Sequence, residues 1–278
     1  MVLSISGMSS QLALKLIDST RDSQLQQLRS EPANQRGADA FRERIGSITT
    51  PEELVKDYEV YSFVMRAFDL EDQIFGKGMI RKILESDPSD DAALVNRLSD
   101  PRFGELHAAL GFTTAAGPQT PNFNDPAWQD GIVNQYYETV FVNGEADQNP
   151  TVGTVLEFRE KAASLNSWYD VLKNKELTNF FRVSLALPRE MAGLDVDKQA
   201  TILEKKYDLT KVTDPVEQEK LISRFMAISD VLTPPQGVYN SSALTVLRSI
   251  GRVGSAVQII SLQLNVAPVQ YSASSLYR

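Results

Sequence analysis

The sequence predicts an all-α, multihelical protein: two related helical halves from an internal duplication, with amphipathic helices at both ends. Three observations carry this reading. Period-two alternation over a strand length is scarce. Apolar residues recur at three- and four-residue spacings along most of the chain. One segment of 30 residues also returns later in the sequence without a gap.

Taken in order, the stretch ISGMSSQLALKLIDSTRDSQLQQLR puts Ile5, Met8, Leu12, Leu16, Leu25 and Leu28 on one stripe, which predicts a helix over 8–30. A second helix is expected over 36–46. In TTPEELVKDYEVYSFVMRAF, Thr50 stands three residues before Glu53 and Pro51 fits a first helical position. Leu54, Tyr58, Tyr61, Met65 and Phe68 then recur, so one helix is expected over 51–68. Helices over 71–86, 90–98 and 101–110 complete the first half, the last starting at Asp100-Pro101. GFTTAAGPQTPNFNDP, from Gly111 to Pro126, lacks periodicity and carries several turn formers, so it marks the junction between halves.

The second half is expected to hold helices over 126–143, 152–164, 168–185, 196–206 and 215–231. Trp168, Val171, Leu172, Leu177, Phe180, Phe181 and Leu185 form a stripe like that of the first half, and Asp214-Pro215 starts the last helix. LTPPQGVYNSS, from Leu232 to Ser242, then separates a tail with Val246, Ile250, Val253, Val257, Ile260 and Leu264 at helical spacing. One helix over 242–264 and an extended end are expected there. The organisation read from the sequence is 1–118, 119–235 and a tail, 236–278, that packs either on the body or on a partner.

The repeat itself is FRERIGSITTPEELVKDYEVYSFVMRAFDL, Phe41 to Leu70, laid over FREKAASLNSWYDVLKNKELTNFFRVSLAL, Phe158 to Leu187, at a constant shift of 117. Phe41/Phe158, Arg42/Arg159, Glu43/Glu160, Ser47/Ser164, Lys56/Lys173, Glu59/Glu176, Phe63/Phe180 and Leu70/Leu187 are identical, 8 of 30. LSDP at Leu98 meets VTDP at Val212 with a shift of 114. Convergence on one amphipathic pattern explains the apolar matches but not the charged ones. Duplication places Phe63 and Phe180 at equivalent buried positions.

Composition removes several function classes. With 36 acidic against 28 basic residues the formal charge is −8, which repels nucleic acid and anionic lipid, so neither is the expected partner. No apolar run reaches the roughly 18–20 residues that cross a bilayer, and the start has neither the basic region nor the long apolar stretch of a secretory signal. Membrane insertion is therefore not expected. Cysteine is absent, which excludes disulfides, a thiolate nucleophile and cysteine-ligated metal.

The search for chemistry assigns no catalytic, cofactor-binding or metal-ligating residue. His107, in FGELHAALGF, is the one histidine, and no orienting carboxylate or nucleophile is legible beside it; a structural role and dispensability to function are expected. SDPSDD, Ser86 to Asp91, lacks the glycine and distal glutamate of a calcium loop and reads as a turn before a helix cap. NGEADQN, Asn143 to Asn149, likewise reads as a turn. Gly76 and Gly78, in GKG, lie inside a helical pattern without phosphate-loop spacing. Paired carboxylates that meet only in three dimensions stay open.

Four stretches in combination, IGSITTPEELVKDYEVYSFVMRAFDLEDQIFGKGMIRKILE, LVNRLSDPRFGELHAALGF, FVNGEADQNPTVGTVLEFREKA and LPREMAGLDVDKQATILEKKYDL, resemble a bacterial family known as domain of unknown function 1217, over about residues 36–231. The resemblance implies a multihelical fold with no assigned catalytic residues and genes that often sit among flagellar genes in alphaproteobacteria.

Two function classes remain. One is a non-enzymatic structural or protein-interaction protein of the flagellar system, acting through helical surfaces and its termini. The other is an enzyme with an unrecognised site of Asp, Glu, Lys, Arg and Tyr. A lesser alternative is a cytoplasmic chaperone or regulator of an exported flagellar protein. The expected partner is a protein, a flagellar component among the candidates. The expected location is the cytoplasm, or outside it by way of the flagellar apparatus, and the oligomeric state is left open.

Overall fold

Proline takes the first position of six helices, at Pro32, Pro51, Pro101, Pro126, Pro150 and Pro215. Its ring presets φ there, and its missing N–H would have had no helical partner. In five of the six the preceding side chain, Thr50, Asp100, Asp125, Asn149 or Asp214, accepts a hydrogen bond from a first-turn backbone N–H. These starts organise the computed structural model, which describes residues 4–113 and 122–233.

Thirteen helices occur among the described residues, with no strand. The first seven are α1 (Ser10–Ser30), α2 (Pro32–Arg44), α3 (Pro51–Lys56), α4 (Tyr58–Ala67), α5 (Lys77–Leu84), α6 (Leu94–Arg97) and α7 (Pro101–Leu110). The rest are α8 (Pro126–Gln148), α9 (Pro150–Lys161), α10 (Trp168–Lys173), α11 (Lys175–Ser184), α12 (Val196–Lys206) and α13 (Pro215–Leu232). The predicted all-α class is borne out. The predicted tail helix, 242–264, and residues 114–121 of the junction lie outside the described residues.

Four expectations are corrected. The helix expected over 51–68 is two, because the Asp57 side chain accepts from the Val60 N–H and caps a new helix, with the Asp57 backbone extended at φ −79°, ψ 90°. The same break falls at Asn174, whose side chain accepts from Leu177 N–H at 2.9 Å. NGEADQN is not a turn: Asn143 to Gln148 complete α8, and only Asn149 leaves it, to cap α9. Gly76 lies outside a helix, at the N-terminal boundary of α5, after a 3₁₀ turn at Glu71–Gln73.

The two halves carry matching local structure at the shift of 117. Capping boxes join Thr50 with Glu53 and Ser167 with Asp170. A 3₁₀ turn follows α2 at Ile45–Ser47 and α9 at Ala162–Ser164. Phe41 stacks on Phe63 with ring centroids 5.0 Å apart, and Phe158 on Phe180 at 4.0 Å. All four rings are buried.

Packing extends the parallel in a way the sequence match did not. α2 packs on α4 and α4 on α8; α9 packs on α11 and α11 on α13. Phe63 meets Tyr136 of α8 at 4.2 Å, and Phe180 meets Phe225 of α13 at 4.9 Å. Tyr136 and Phe225 each lie ten residues past the proline that opens their helix. The packing counterpart of α13 is therefore α8, although the DP match pairs it with α7. Helix α8 closes the first half and, lying against α9, also leads the second.

The chain turns back on itself through α1, which lies against α8, α9 and α13. The Ser10 N–H donates to Asp230 of α13 at 2.9 Å, and the Ser10 hydroxyl donates to the other carboxylate oxygen. A carboxylate at this place complements the positive end of α1. Arg21 and Asp18 of α1 pair with Glu138 and Arg159. Every described residue belongs to one compact unit.

Candidate functional site

The end of α4 and the start of α7 build one wall of a charged cleft. Its other wall is the α10–α11 corner together with α9. The cleft encloses about 390 Å³ and gathers seven ionisable side chains: Asp69, Asp100, Arg102, Glu157, Lys173, Lys175 and Glu176. Contact between the two halves brings these together, because no two neighbours across the cleft are close in sequence.

Arg102 organises the first wall. Its guanidinium donates to both oxygens of Asp100, at 2.8 Å from Nη2 to Oδ2, and also reaches the carbonyl and the carboxylate of Asp69. Asp100 in turn accepts from the Arg102 backbone N–H at 3.0 Å, so one carboxylate both caps α7 and anchors the guanidinium. Burial pushes the Asp100 carboxyl up, but its bonds to Arg102 outweigh that and leave it below the ordinary carboxylate range. The hydrogen bond to Asp100 likewise raises Arg102, which stays charged. Asp69 is held from α8 as well, by Asn143 Nδ2 at 2.7 Å.

The second wall is bonded within itself. Glu157 accepts from Asn174 Nδ2 at 2.7 Å and lies 3.5 Å from Lys161 Nζ. Glu176 accepts from the Thr154 hydroxyl at 3.1 Å. The matching corner of the first half, Lys56 to Glu59, faces a shallow surface hollow instead, with Tyr58 57% exposed. Equivalent corners thus have different surroundings.

The residues singled out in the sequence lie elsewhere. His107 is buried, with Nε2 3.0 Å from the Ser86 carbonyl, and ties α7 to the turn after α5. In SDPSDD, Asp87 accepts from Ser89 N–H and hydroxyl, and Asp90 from Ala92 N–H, so two of its carboxylates fold the turn. Among the described residues no group of three or more His, Cys, Asp or Glu side chains is placed to hold a metal ion. None of their helices is long and apolar enough to cross a membrane. Sequence reading missed Asp69, Arg102 and the Glu157–Asn174 pair. The one available signal was Asp100 two residues before Arg102, and nothing local points across to Glu157 or Glu176.

One buried carboxyl stands apart from the cleft. Glu145, in α8, is 2% exposed, its Oε2 has no hydrogen-bond partner, and burial pushes its carboxyl up.

None of the curated proteins matches the chain. Among solved structures, the chain is similar to the X-ray crystal structure of protein AGR_C_984 from Agrobacterium tumefaciens, a structural-genomics target. The two share 29% identity and a TM-score of 0.72, over 84% of this chain and 98% of that one. The model of one family, described as a protein of unknown function, DUF1217, matches residues 67–218. This span is more than half of the chain and runs from the end of α4 into α13, across both walls of the cleft, and so the protein belongs to the DUF1217 family.

Proposed function

We propose that this chain is a non-catalytic helical scaffold that works by contacting other proteins, in the flagellar setting that the family resemblance implies. One observation carries the reading: all four carboxylates lining the cleft, Asp69, Asp100, Glu157 and Glu176, are already bonded to side chains of the chain itself. A general acid or base is tuned toward neutral pH and left a route to substrate. Asp100 is shifted the other way, away from that poise. The charged groups of the cleft are committed within their own walls, and large apolar side chains stand outside it, Phe75 at 92% exposure among them.

The second reading, an enzyme built on Asp, Glu, Lys and Arg, draws on the convergence of seven ionisable groups in a cleft of substrate size. One experiment separates the two. A deletion strain is complemented with the parent chain, with Glu157→Gln/Glu176→Gln, and with His107→Gln as a control, and motility is scored while cells are fractionated. The scaffold reading expects co-fractionation with flagellar components and full complementation by both variants. Loss of the phenotype in the folded Glu157→Gln/Glu176→Gln variant favours the enzyme. Normal motility of the deletion strain, with no flagellar co-fractionation, sinks the flagellar reading.

A further inference from the structure

In the first half, helix α7 is lodged among three neighbours. Arg102 at its start reaches the end of α4 at Asp69, His107 reaches the turn after α5 at Ser86, and the Ala109 carbonyl accepts from Trp128 Nε1 near the start of α8 at 3.3 Å. The second half has the counterparts of all three neighbours: the end of α11, the end of α12 and the start of α13. It has no counterpart of α7, because a 3₁₀ turn at Leu209–Thr213 leads straight into α13. In that place lies an open groove of about 730 Å³, lined by Leu185 from the end of α11, Tyr207 after α12, and Val216 and Leu221 of α13.

We propose that this groove is a docking site for a short amphipathic helix of a partner protein, apolar on the seated face and acidic on its flanks. The proposal rests on the interaction reading above and names the surface and the chemistry of the partner. Three observations converge on it. The first is shape: the groove stands where the other half seats its own ten-residue helix, about 15 Å long. The second is an unmet bond, since the Tyr207 hydroxyl is buried without a hydrogen-bond partner. Burial pushes that hydroxyl up to about 12, so it remains a donor, ready for a terminal helix carbonyl such as the one Ala109 offers Trp128. The third is charge complementarity. Lys206 and Arg224 on the rim are exposed, have no ion-pair partner among the described residues and outnumber the exposed Glu219 beside them, whereas the neighbouring Lys220 is paired with Glu217 at 2.7 Å. Val216, at the mouth, is 62% exposed and gains cover only from an occupant.

The test uses the full chain and a fluorescein-labelled synthetic peptide of the α7 sequence, SDPRFGELHAALGF (Ser99–Phe112), stapled through the positions of Gly104 and Ala108 and followed by fluorescence polarisation. Saturable binding is expected. Val216→Asp weakens it by at least about tenfold, because it sets a carboxylate against the apolar face of the seated helix. Phe75→Asp, on the other half, leaves it unchanged. A peptide with Asp100→Lys and Glu105→Lys binds the parent chain about fivefold more weakly or worse. Absence of saturable binding overturns the proposal, as does binding that Val216→Asp leaves intact or that Phe75→Asp weakens equally. Sedimentation of the chain alone adds one outcome: a dimer that Val216→Asp dissociates gives the groove to a second copy and overturns the partner helix. Peptide binding without flagellar co-fractionation leaves the groove standing and sinks only the flagellar setting.

Discussion

Asp69 and Ala186, 117 positions apart, both take the left-handed backbone conformation, with φ of 56° and 53°. Each follows the last turn of a helix, and in each case the next N–H returns five residues to close it: Leu70 to the Met65 carbonyl and Leu187 to the Arg182 carbonyl, both at 2.8 Å. The stop is the same, but only Asp69 has a side chain with a task, since it binds Asn143 and Arg102. Ala186→Gly therefore stabilises the protein by about 0.5–1 kcal/mol, the relief of left-handed strain less the added freedom of the unfolded chain. Asp69→Gly relieves similar strain but loses both bonds, for a net loss of about 1 kcal/mol. Urea midpoints of the two variants check this; a stabilising Asp69→Gly refutes the account.

The paired phenylalanines give a second expectation. Phe63 and Phe180 are both buried and each bridges a matching pair of aromatic rings, Phe41 and Tyr136 in one half and Phe158 and Phe225 in the other, Phe180 also meeting Phe181. Truncation of either to alanine should cost about 3–5 kcal/mol, and the two costs should be alike. Because all described residues form one compact unit, each variant should still unfold in a single transition by circular dichroism. Two separated transitions would show that the halves fold apart.

Helices α8 and α9 meet at Gly153, where an added Cβ would sit 2.3 Å from Ala146 Cβ and 2.8 Å from its Cα. The obstacle is backbone, so side-chain rotation does not clear it. Gly153→Ala is expected to lose about 1–3 kcal/mol. Adding Ala146→Gly should recover part of the loss and leave the Cα clash. Thermal melts of the single and double variants measure both.

Glu145 sets a pH dependence. Its folded carboxyl is raised above the ordinary value by burial, so between the ordinary value and the raised one the folded state holds the extra proton. Its contribution to stability is therefore lost as pH rises through that window and regained on acidification. Glu145→Gln should stabilise the protein by about 1–2 kcal/mol at pH 7, since a neutral amide is less costly to bury than an unpartnered carboxylate. The advantage should shrink toward pH 4.5, the ordinary value for glutamate. Chemical denaturation across that range decides it, and an advantage that grows on acidification would contradict the sign.

We further infer that the matching caps, turns and ring stacks descend from a duplicated unit, because they hold one register across apolar, charged and capping positions alike. Similarity of apolar positions would follow from any two buried helices. The capping pairs Thr50/Ser167, Glu53/Asp170 and Asp57/Asn174 would not, since each serves a backbone bond at one place.

Much of this protein was determined locally and so was legible in the chain. The boundaries of α7 and α12 follow the predicted 101–110 and 196–206 because each starts at an Asp whose side chain bonds the first turn. The burial of Phe41, Phe63, Phe158 and Phe180 follows from period and repeat. Where an Asp or Asn stood inside a helical pattern, as at Asp57 and Asn174, periodicity ran through the break, because the apolar stripe continues across a one-residue cap. Tertiary structure alone decided the rest. It put Glu157 and Glu176 opposite Asp100 and Arg102, and it equated α13 with α8 rather than with α7. It also left the α12–α13 groove open where the first half is filled. The physical reason is that caps and periods are written within a few residues. Which of two equivalent surfaces is covered depends on how many elements the chain supplies to cover it, and the second half supplies no counterpart of α6 or α7.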